Sequence, residues 1–239
     1  MIINGKSIAE RIIGALKARG KTPKFFGAVL VGDDPASLNF LKQKEKTART
    51  LGIDFRLYKL PDRVTTDDLR AEIGRLARPK NCGAFIVQLP LPEDVSKHYV
   101  LNAIPKEKDA DLLSEQALGA FYSGRSTVVP PSVGTVEEIL NLRNLNLREL
   151  SAVVIGAGFL IGKPVGFWLQ NRVAELTVID SRAKHLHTKL QEADIVISGA
   201  GEANLFSAGD LKNGALVIDF GFNRLDDKLV GDFDPAGAE

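Results

Sequence analysis

The chain has 239 residues, 31 basic side chains against 30 acidic ones, a formal net charge of +1, and 44% hydrophobic residues. That length suffices for one large domain or two modest ones with buried cores, so no disulfide or metal staple is needed. The single cysteine, Cys82, cannot form an internal disulfide or supply a zinc site. We therefore expect a cytoplasmic protein without a bound metal.

Charge and hydropathy exclude two classes of partner. Nucleic-acid binders usually carry a basic excess that neutralises phosphates, and this chain has none, so a small ligand is the better expectation. No apolar run approaches the ~20 residues that span a bilayer. The first residues, MIINGKSIAERI, have neither the apolar core of a signal peptide nor a basic leader. The sequence thus predicts a soluble protein that binds neither nucleic acid nor membranes.

Short β-branched runs alternate along the chain with longer segments of helical periodicity. Most runs are continuously apolar, which is typical of parallel strands covered on both faces, so the predicted fold class is α/β. The predicted strands, in chain order, are residues 25–31, 53–58, 83–87, 151–155, 176–180, 194–198 and 215–219.

The clearest predicted helix lies within residues 33–52 (DDPASLNFLKQKEKTARTLG), where Asp34 can cap the first turn and Gly52 suits the end. Lys44 lies on its apolar stripe, with Phe40 one turn earlier. Such a lysine either extends to solvent or lines a cleft, where desolvation makes its proton easier to lose. The pattern alone leaves both open. The inward positions are Ser37, Leu41, Lys44, Ala48 and Leu51.

Two polar signals follow the third predicted strand. Gln88 comes directly after GAFIV, and the carboxyl end of a buried parallel strand is where α/β sheets bind ligands. Further on, residues 108–111 (KDAD) follow an apparent helix. A surface amide and a solvated charge cluster are the alternatives, and the residues alone do not decide between them.

Residues 119–131 (GAFYSGRSTVVPP) predict a domain junction. They show little periodicity, and Pro130 and Pro131 remove backbone donors and hold the chain extended. Helical spacing resumes over residues 133–142. We therefore predict two domains, residues 1–120 and residues 121–239.

A glycine-rich turn follows the fourth predicted strand, in SAVVIGAGFLIGKPVGF (residues 151–167). Gly156 allows a tight turn, Gly158 lets the backbone approach a ligand, and the next helix offers N–H groups and a positive dipole end to a phosphate. The spacing G-x-G-x-x-x-G is one residue longer than the usual dinucleotide fingerprint. The strand–turn–helix context favours a dinucleotide site over an ordinary strand-to-helix turn.

The next predicted strand ends in two conflicting signals. Asp180 stands where an acidic residue commonly binds the adenosine ribose of NAD, whereas Ser181 and Arg182 could form a pocket for the 2′-phosphate of NADP. For Arg182 a solvated surface charge is the alternative.

In this order, these residues resemble the bifunctional methylenetetrahydrofolate dehydrogenase/methenyltetrahydrofolate cyclohydrolase family. The matching strings are NGKSIAERI, VGDDPAS, VQLPLP, KDAD, VVIGAGFLIGKP and VIDFGFNR followed by VGD, and they cover essentially the whole chain. The resemblance implies an α/β fold of two lobes with a cleft between them. The N-terminal α/β catalytic lobe, residues 1–120, would bind folate. The C-terminal Rossmann-type parallel-sheet lobe, residues 121–239, would bind NAD(P).

The resemblance also implies two reactions of one-carbon metabolism. These are oxidation of 5,10-methylenetetrahydrofolate to the 5,10-methenyl compound with NAD(P)⁺, and hydrolysis of that product to 10-formyltetrahydrofolate. By the same resemblance, Lys44 is the polar catalyst of hydrolysis, Gln88 bonds to it, and Asp111 binds the N–H donors of the pterin. The expected substrate-binding set is Phe40, Lys44, Gln88, Leu89, Pro90 and Asp111.

For the cofactor, the resemblance implies NADP, with NAD as the alternative, and for assembly a homodimer acting in purine biosynthesis. The expected cofactor-binding residues are Gly156, Ala157, Gly158, Gly162, Lys163, Pro164, Ser181, Arg182, Gly199, Ala200 and Gly221.

Three departures from the family pattern give an alternative function. Phe40 stands where the family has a tyrosine, so ring stacking is kept and the hydroxyl is lost. Residues 129–132 (VPPS) replace P-C-T-P, and the sequence stops at Glu239 before the family's Pro-Gly-rich segment. The alternative is a folate- and dinucleotide-binding homologue that has lost one or both activities.

Overall fold

The computed structural model describes residues 2–226 and 228–238. They form two compact units. The N-terminal unit is Asn4–Val129, and the C-terminal unit takes in the described residues from Pro130 onward together with Ile2 and Ile3. Each unit contains its own parallel sheet flanked in sequence by helices, so the predicted α/β class is confirmed.

The N-terminal unit is built on a three-stranded parallel sheet in the order β2-β1-β3. Its strands are β1 (Phe25–Val31), β2 (Asp54–Leu60) and β3 (Cys82–Val87). Its helices are α1 (Gly5–Lys17), α2 (Pro35–Thr50), α3 (Thr66–Ala77), α4 (Lys97–Leu101) and α5 (Glu115–Tyr122).

Helix α2 begins where the sequence predicts and packs its apolar face on this sheet. The Asp34 carboxylate accepts the Ser37 N–H at 2.7 Å, which caps the first turn. Leu41 and Ala48 are buried in one cluster with residues of β1, β2 and β3. This packing determines which face of α2 is directed away from the sheet, and the polar side chains of the helix lie on that face.

The C-terminal unit has a four-stranded parallel sheet in the order β5-β4-β6-β8. The sheet strands are β4 (Ser151–Ile155), β5 (Glu175–Ile179), β6 (Ile195–Ser198) and β8 (Leu216–Asp219). The helices are α6 (Pro131–Leu142), α7 (Gly162–Leu169) and α8 (Leu186–Glu192). The short strands are β7 (Phe206–Ser207), β9 (Asn223–Leu225), β10 (Lys228–Val230) and β11 (Phe233–Asp234).

The predicted strand boundaries differ from the observed ones by at most two residues. Asp180, predicted as the last residue of its strand, lies just past β5. Its carboxylate accepts the Arg182 N–H and its carbonyl accepts the Ala183 N–H, and this turn ends the strand. The sequence did not predict β7, β9, β10 and β11, because strands of two or three residues carry no readable periodicity.

Among the helices described here, none is long and apolar enough to cross a membrane.

Candidate active site

Helix α2 and the KDAD segment meet through an ion pair in the N-terminal unit. Lys44 Nζ donates to Asp111 Oδ2 at 3.3 Å, with 32% and 23% of the two side chains exposed. Lys44 is therefore neither extended freely into solvent nor fully desolvated. Because water still reaches the pair, its attraction is worth only about 0–1 kcal/mol, so a ligand can rearrange it at little cost.

Backbone contacts and Lys108 hold the KDAD segment in place. Asp109 pairs with Phe85 of β3 in a parallel bridge, and the Ala110 N–H donates to the Phe85 carbonyl at 3.3 Å. The segment therefore runs beside β3, and Asp111 and Gln88 emerge at the same carboxyl edge of the sheet. Lys108 Nζ donates to the carbonyls of Ala77, Arg78 and Pro79 at the end of α3, at 2.7 to 3.1 Å.

Asp109 is the buried anchor of this segment. It is 4% exposed, and its Oδ2 accepts the Ser114 N–H at 2.7 Å. Its other oxygen, Oδ1, is buried without a hydrogen-bond partner among the described residues. The carboxylate thus fixes the start of α5 and, through the backbone, the neighbouring Asp111.

The bond between Gln88 and Lys44 that the resemblance implies is not formed among the described residues of this structure. Gln88 Nε2 donates to the Leu89 carbonyl at 2.9 Å, and Lys44 is turned towards Asp111. Gln88 Oε1 is consequently buried with no partner in the described part of the chain. An unmatched buried acceptor costs about 1–3 kcal/mol, so this oxygen is well suited to receive an N–H donor from a ligand or from Lys44.

The first turn of α2 also contacts the loop after β3. Ser37 is buried, and its hydroxyl donates to the Leu89 carbonyl at 3.4 Å. The peptide bond between Leu89 and Pro90 is cis. Phe40, one turn before Lys44, is 51% exposed, so a flat ligand can stack on its ring. Helix α2 therefore carries Phe40 and Lys44, and it contacts Leu89 through Ser37 and Asp111 through Lys44.

In the C-terminal unit, the glycine turn after β4 packs tightly at two positions. Gly156 has φ +88°, and a Cβ there would lie 2.7 Å from the Gly199 carbonyl oxygen. A Cβ on Gly162 would lie 1.7 Å from the Gly156 carbonyl oxygen. Only glycine fits these positions, and the contacts bring the ends of β4 and β6 together with the start of α7.

The surroundings of Gly158 show whether this turn has room for a dinucleotide. It is exposed, and a Cβ there would meet no atom of the described residues within 4 Å, so the backbone is open to a ligand. Helix α7 begins close by at Gly162. Among the described residues no side chain caps that end, and the Lys163 N–H donates to the Gly158 carbonyl at 3.0 Å. Exposed backbone next to a helix N-terminus without a side-chain cap suits a pyrophosphate, so the residues fit NADP.

Asp232 organises the other loops at this edge of the sheet, a role that the sequence analysis missed. It is fully buried, and Oδ2 accepts from Ser198 Oγ at 2.7 Å and the Ala200 N–H at 2.8 Å. Oδ1 accepts from the Glu202 N–H at 2.9 Å and Asn223 Nδ2 at 3.1 Å. The string VGD was the available signal, but nothing in it indicates which loops the carboxylate joins.

The neighbouring Asp219 shows the opposite electrostatic behaviour. Its Oδ1 accepts the Gly221 N–H at 2.7 Å and its Oδ2 the Phe233 N–H at 3.0 Å. Burial, and then the negative charge of Asp232, raise the pKa of the Asp219 carboxyl. Burial would also raise the pKa of Asp232, but hydrogen bonds from Ser198 and the loop N–H groups outweigh it and hold that pKa below its usual range.

Asp232 should therefore stabilise the fold in a pH-dependent way. Because its folded pKa lies below the unfolded value of 3.8, its contribution is present above pH ~3.8 and is lost as the pH falls through the folded pKa. We expect Asp232→Asn to lower the free energy of unfolding by roughly 1–3 kcal/mol at pH 7. In urea titrations this difference should shrink below about pH 4.

A suitable control is Asp234→Asn, since the Asp234 carboxylate accepts only the exposed Ala236 N–H among the hydrogen bonds described. Its effect should be small at every pH. A difference between the wild type and Asp232→Asn that stays constant down to pH 2 would contradict the role given to Asp232.

Asp180 and Arg182 lie beside the glycine turn and bind each other. Arg182 Nε and Nη2 donate to the two Asp180 oxygens at 2.7 and 3.0 Å. The two conflicting sequence signals are thus joined in one ion pair. Ser181, between them, is partly buried.

A hydrogen bond also connects helix α6 to the glycine-rich turn. Ser132, within the VPPS segment, is buried, and its hydroxyl donates to the Leu160 carbonyl at 2.8 Å.

Across residues 2–226 and 228–238, no three His, Cys, Asp or Glu side chains are grouped so that they could hold a metal ion.

The predicted cofactor residues thus lie at one edge of one sheet. Gly156 lies against both Gly162 and Gly199, and Gly221 and Ala200 both adjoin Asp232. A parallel sheet followed by a glycine turn and a helix start without a side-chain cap is typical of the dinucleotide-binding unit of a dehydrogenase. The separate α/β unit, with a lysine, a carboxylate and an amide at its sheet edge, is typical of the catalytic unit in a two-domain enzyme of that class.

Comparison with known proteins identifies the family. The model for the tetrahydrofolate dehydrogenase/cyclohydrolase catalytic domain matches residues 3–111, and that for its NAD(P)-binding domain matches residues 130–239. The bifunctional protein FolD of Bacillus pumilus is 36% identical over 241 residues, which span 98% of this chain and 85% of the relative. This chain belongs to the tetrahydrofolate dehydrogenase/cyclohydrolase family.

Solved structures agree with this membership. A crystal structure of FolD from Campylobacter jejuni has a TM-score of 0.91 at 32% identity and covers 96% of this chain and 84% of its own. The Trypanosoma brucei enzyme, complexed with NADP cofactor and inhibitor, has a TM-score of 0.91 at 30% identity, covering 98% and 85%.

Proposed function

We propose that this protein is an NADP-dependent methylenetetrahydrofolate dehydrogenase and a methenyltetrahydrofolate cyclohydrolase. It oxidises 5,10-methylenetetrahydrofolate to the 5,10-methenyl compound and hydrolyses that compound to 10-formyltetrahydrofolate. The observation that carries the proposal is the Lys44–Asp111 ion pair at the same sheet edge as the Gln88 Oε1 atom, which has no hydrogen-bond partner in the part of the chain that the structure describes. Two acceptors and one proton donor are the groups that a pterin and an activated water need.

In the hydrolytic step, Lys44 holds or moves a proton at Nζ. Asp111 and Gln88 are the two acceptors to which Nζ can donate, so they control the position of this proton. A pterin whose amino and ring N–H groups bind Asp111 displaces Lys44 from Oδ2, and Lys44 can then donate to the vacant Gln88 Oε1. Phe40 supplies the flat face on which the pterin stacks, and Leu89 and Pro90 close the loop beside it.

In the oxidative step, the C-terminal unit binds and orients the dinucleotide. NADP⁺, when bound there, would supply the hydride acceptor for oxidation of the folate methylene carbon. The exposed backbone at Ala157 and Gly158 and the N-terminal end of α7 at Gly162 would hold its pyrophosphate. Lys163 is exposed at that helix start, where a cation favours a phosphate, and Pro164 is buried in the same turn. Ala200, whose N–H donates to Asp232, and Gly221, whose N–H donates to Asp219, would form the remaining wall together with Gly199.

Finer assignments belong to the same proposal. We assign the folate chemistry to residues 1–120 and the dinucleotide chemistry to residues 121–239, and the family-model matches at 3–111 and 130–239 support this division. A homodimer in the cytoplasm that contributes to purine biosynthesis is proposed from the family membership. No feature of the described residues favours the alternative of a homologue with lost activity.

Steady-state assays test the function directly. Purified protein should reduce NADP⁺ in the presence of methylenetetrahydrofolate and should separately hydrolyse methenyltetrahydrofolate faster than buffer does. A folded sample that reduces neither NADP⁺ nor NAD⁺ would contradict the dehydrogenase assignment. Hydrolysis at the buffer rate would contradict the cyclohydrolase assignment independently, because that assay contains no dinucleotide.

A further inference from the structure

The pair formed by Asp180 and Arg182 lies next to the turn that would hold the pyrophosphate. Strands β4 and β5 are parallel with Ile155 opposite Ile179, and the Gly156 N–H donates to the Ile179 carbonyl at 2.8 Å. The residues after β5 therefore lie beside the glycine turn. A dinucleotide whose pyrophosphate binds that turn has its adenosine ribose at the end of β5.

Three hydrogen bonds join Arg182 to the carboxylate of Asp180. Nε and Nη2 donate to Oδ1 and Oδ2 at 2.7 and 3.0 Å, and the Arg182 backbone N–H donates to Oδ1 at 3.0 Å. The side-chain bonds from Arg182, with its backbone N–H second, lower the pKa of the Asp180 carboxyl to about 2. The carboxylate consequently stays ionised throughout the pH range of an enzyme assay.

The ion pair should affect the binding of NADP and NAD in different ways. The Arg182 guanidinium attracts the 2′-phosphate of NADP, but the Asp180 carboxylate already binds that guanidinium and repels the phosphate. The ribose 2′-hydroxyl of NAD finds in the same carboxylate an acceptor with lone pairs to spare. Both side chains are well exposed, 55% for Asp180 and 87% for Arg182, so the pair can open for a ligand.

We propose that Asp180 sets the cofactor selectivity of this enzyme: by pairing with Arg182, it weakens the binding of a 2′-phosphate to that guanidinium, so that NAD is also accepted. The inference rests on the proposed dinucleotide site. It does not depend on turnover of folate, so binding measurements can test it alone.

The first test uses calorimetry with two probes, adenosine 2′,5′-bisphosphate and adenosine 5′-monophosphate, at low salt. The Asp180→Asn variant should bind the bisphosphate roughly tenfold more tightly than the wild type, because a like charge next to the phosphate is removed. Its affinity for the monophosphate should stay the same or fall. Arg182→Gln should bind the bisphosphate at least about tenfold more weakly, because a charge-assisted hydrogen bond is lost.

The N-terminal unit provides a matched control. Asp54 and Arg56 form a similar pair two residues apart at the start of β2, with Arg56 Nε and Nη2 at 2.9 and 2.7 Å from Asp54 Oδ2. Asp54→Asn should leave the affinity for both probes unchanged. It therefore separates a local effect at the β5 end from a general effect of removing one negative charge.

The outcomes distinguish this inference from the proposed function. If Asp180→Asn leaves the ratio of the two affinities as in the wild type, the selectivity role is wrong and the dinucleotide site stands. If the wild type binds neither probe, the dinucleotide site itself is wrong. In steady-state assays the ratio of kcat/KM for NADP⁺ to that for NAD⁺ should rise in Asp180→Asn and fall in Arg182→Gln.

Discussion

Replacing Lys44 with methionine should lower the rate of methenyltetrahydrofolate hydrolysis by about 10²–10⁴-fold, the usual contribution of a positioned acid or base. Methionine is also unbranched and fills similar space, but it has no proton to exchange. The lost ion pair with Asp111 is partly exposed, so the fold should lose no more than ~1 kcal/mol. Hydrolysis of the methenyl compound, followed without any dinucleotide, isolates the step.

Lys46→Met is the matched control for this variant. Lys46 lies on the same helix but on its exposed face, so the change in charge and composition is identical. The control should hydrolyse the substrate at the wild-type rate. A Lys44→Met protein that keeps the full rate, or a control that loses as much, would show that the proton at Lys44 is not used.

Replacing Gly162 with alanine should disrupt the packing of the glycine turn in the C-terminal unit. The added Cβ would stand 1.7 Å from the Gly156 carbonyl oxygen and 3.1 Å from the Ala157 Cα, and both are backbone atoms that cannot rotate away. Overpacking of this kind costs about 1–3 kcal/mol or more. We expect a clear fall in the melting temperature together with loss of NADP binding by calorimetry.

Gly158→Ala separates the two effects within the same turn. A Cβ there meets no protein atom within 4 Å, so the melting temperature should stay near that of the wild type. The methyl group would instead project where the ligand approaches, and NADP affinity should fall. If Gly158→Ala destabilises the protein as much as Gly162→Ala, or if Gly162→Ala melts normally, the packing argument is wrong.

The sequence predicted those features that depend on neighbouring residues. The Asp34 cap, the buried run of β1 and the strand–turn–helix after β4 are each written within about 20 residues, so periodicity and turn chemistry suffice to find them. The glycine turn was located correctly although its spacing is one residue longer than the usual fingerprint, because its flanking strand and helix are long enough to recognise.

The partners of the site residues could not be predicted in the same way. Lys44 and Asp111 are 67 residues apart in the chain, and the sequence does not indicate which side-chain rotamers bring them within hydrogen-bonding distance. Gln88 was expected to bond to Lys44, but its amide finds the nearer Leu89 carbonyl. Asp232 is similarly hidden, because its role depends on loops that begin some 30 residues earlier.

The two carboxylates near the end of the chain constrain how this region can change over evolutionary time. A Cβ on Gly231 would lie 1.9 Å from Asp219 Oδ2, and one on Gly221 would lie 2.4 Å from Asp232 Oδ1. Each acid occupies the space that its glycine leaves empty. A side chain at position 231 therefore needs a smaller residue at position 219, and we expect homologous sequences to change these two positions, 12 residues apart, together. Gly221 should stay glycine whatever acid accompanies it, because its Cβ would also lie 2.3 Å from the Asp232 backbone nitrogen.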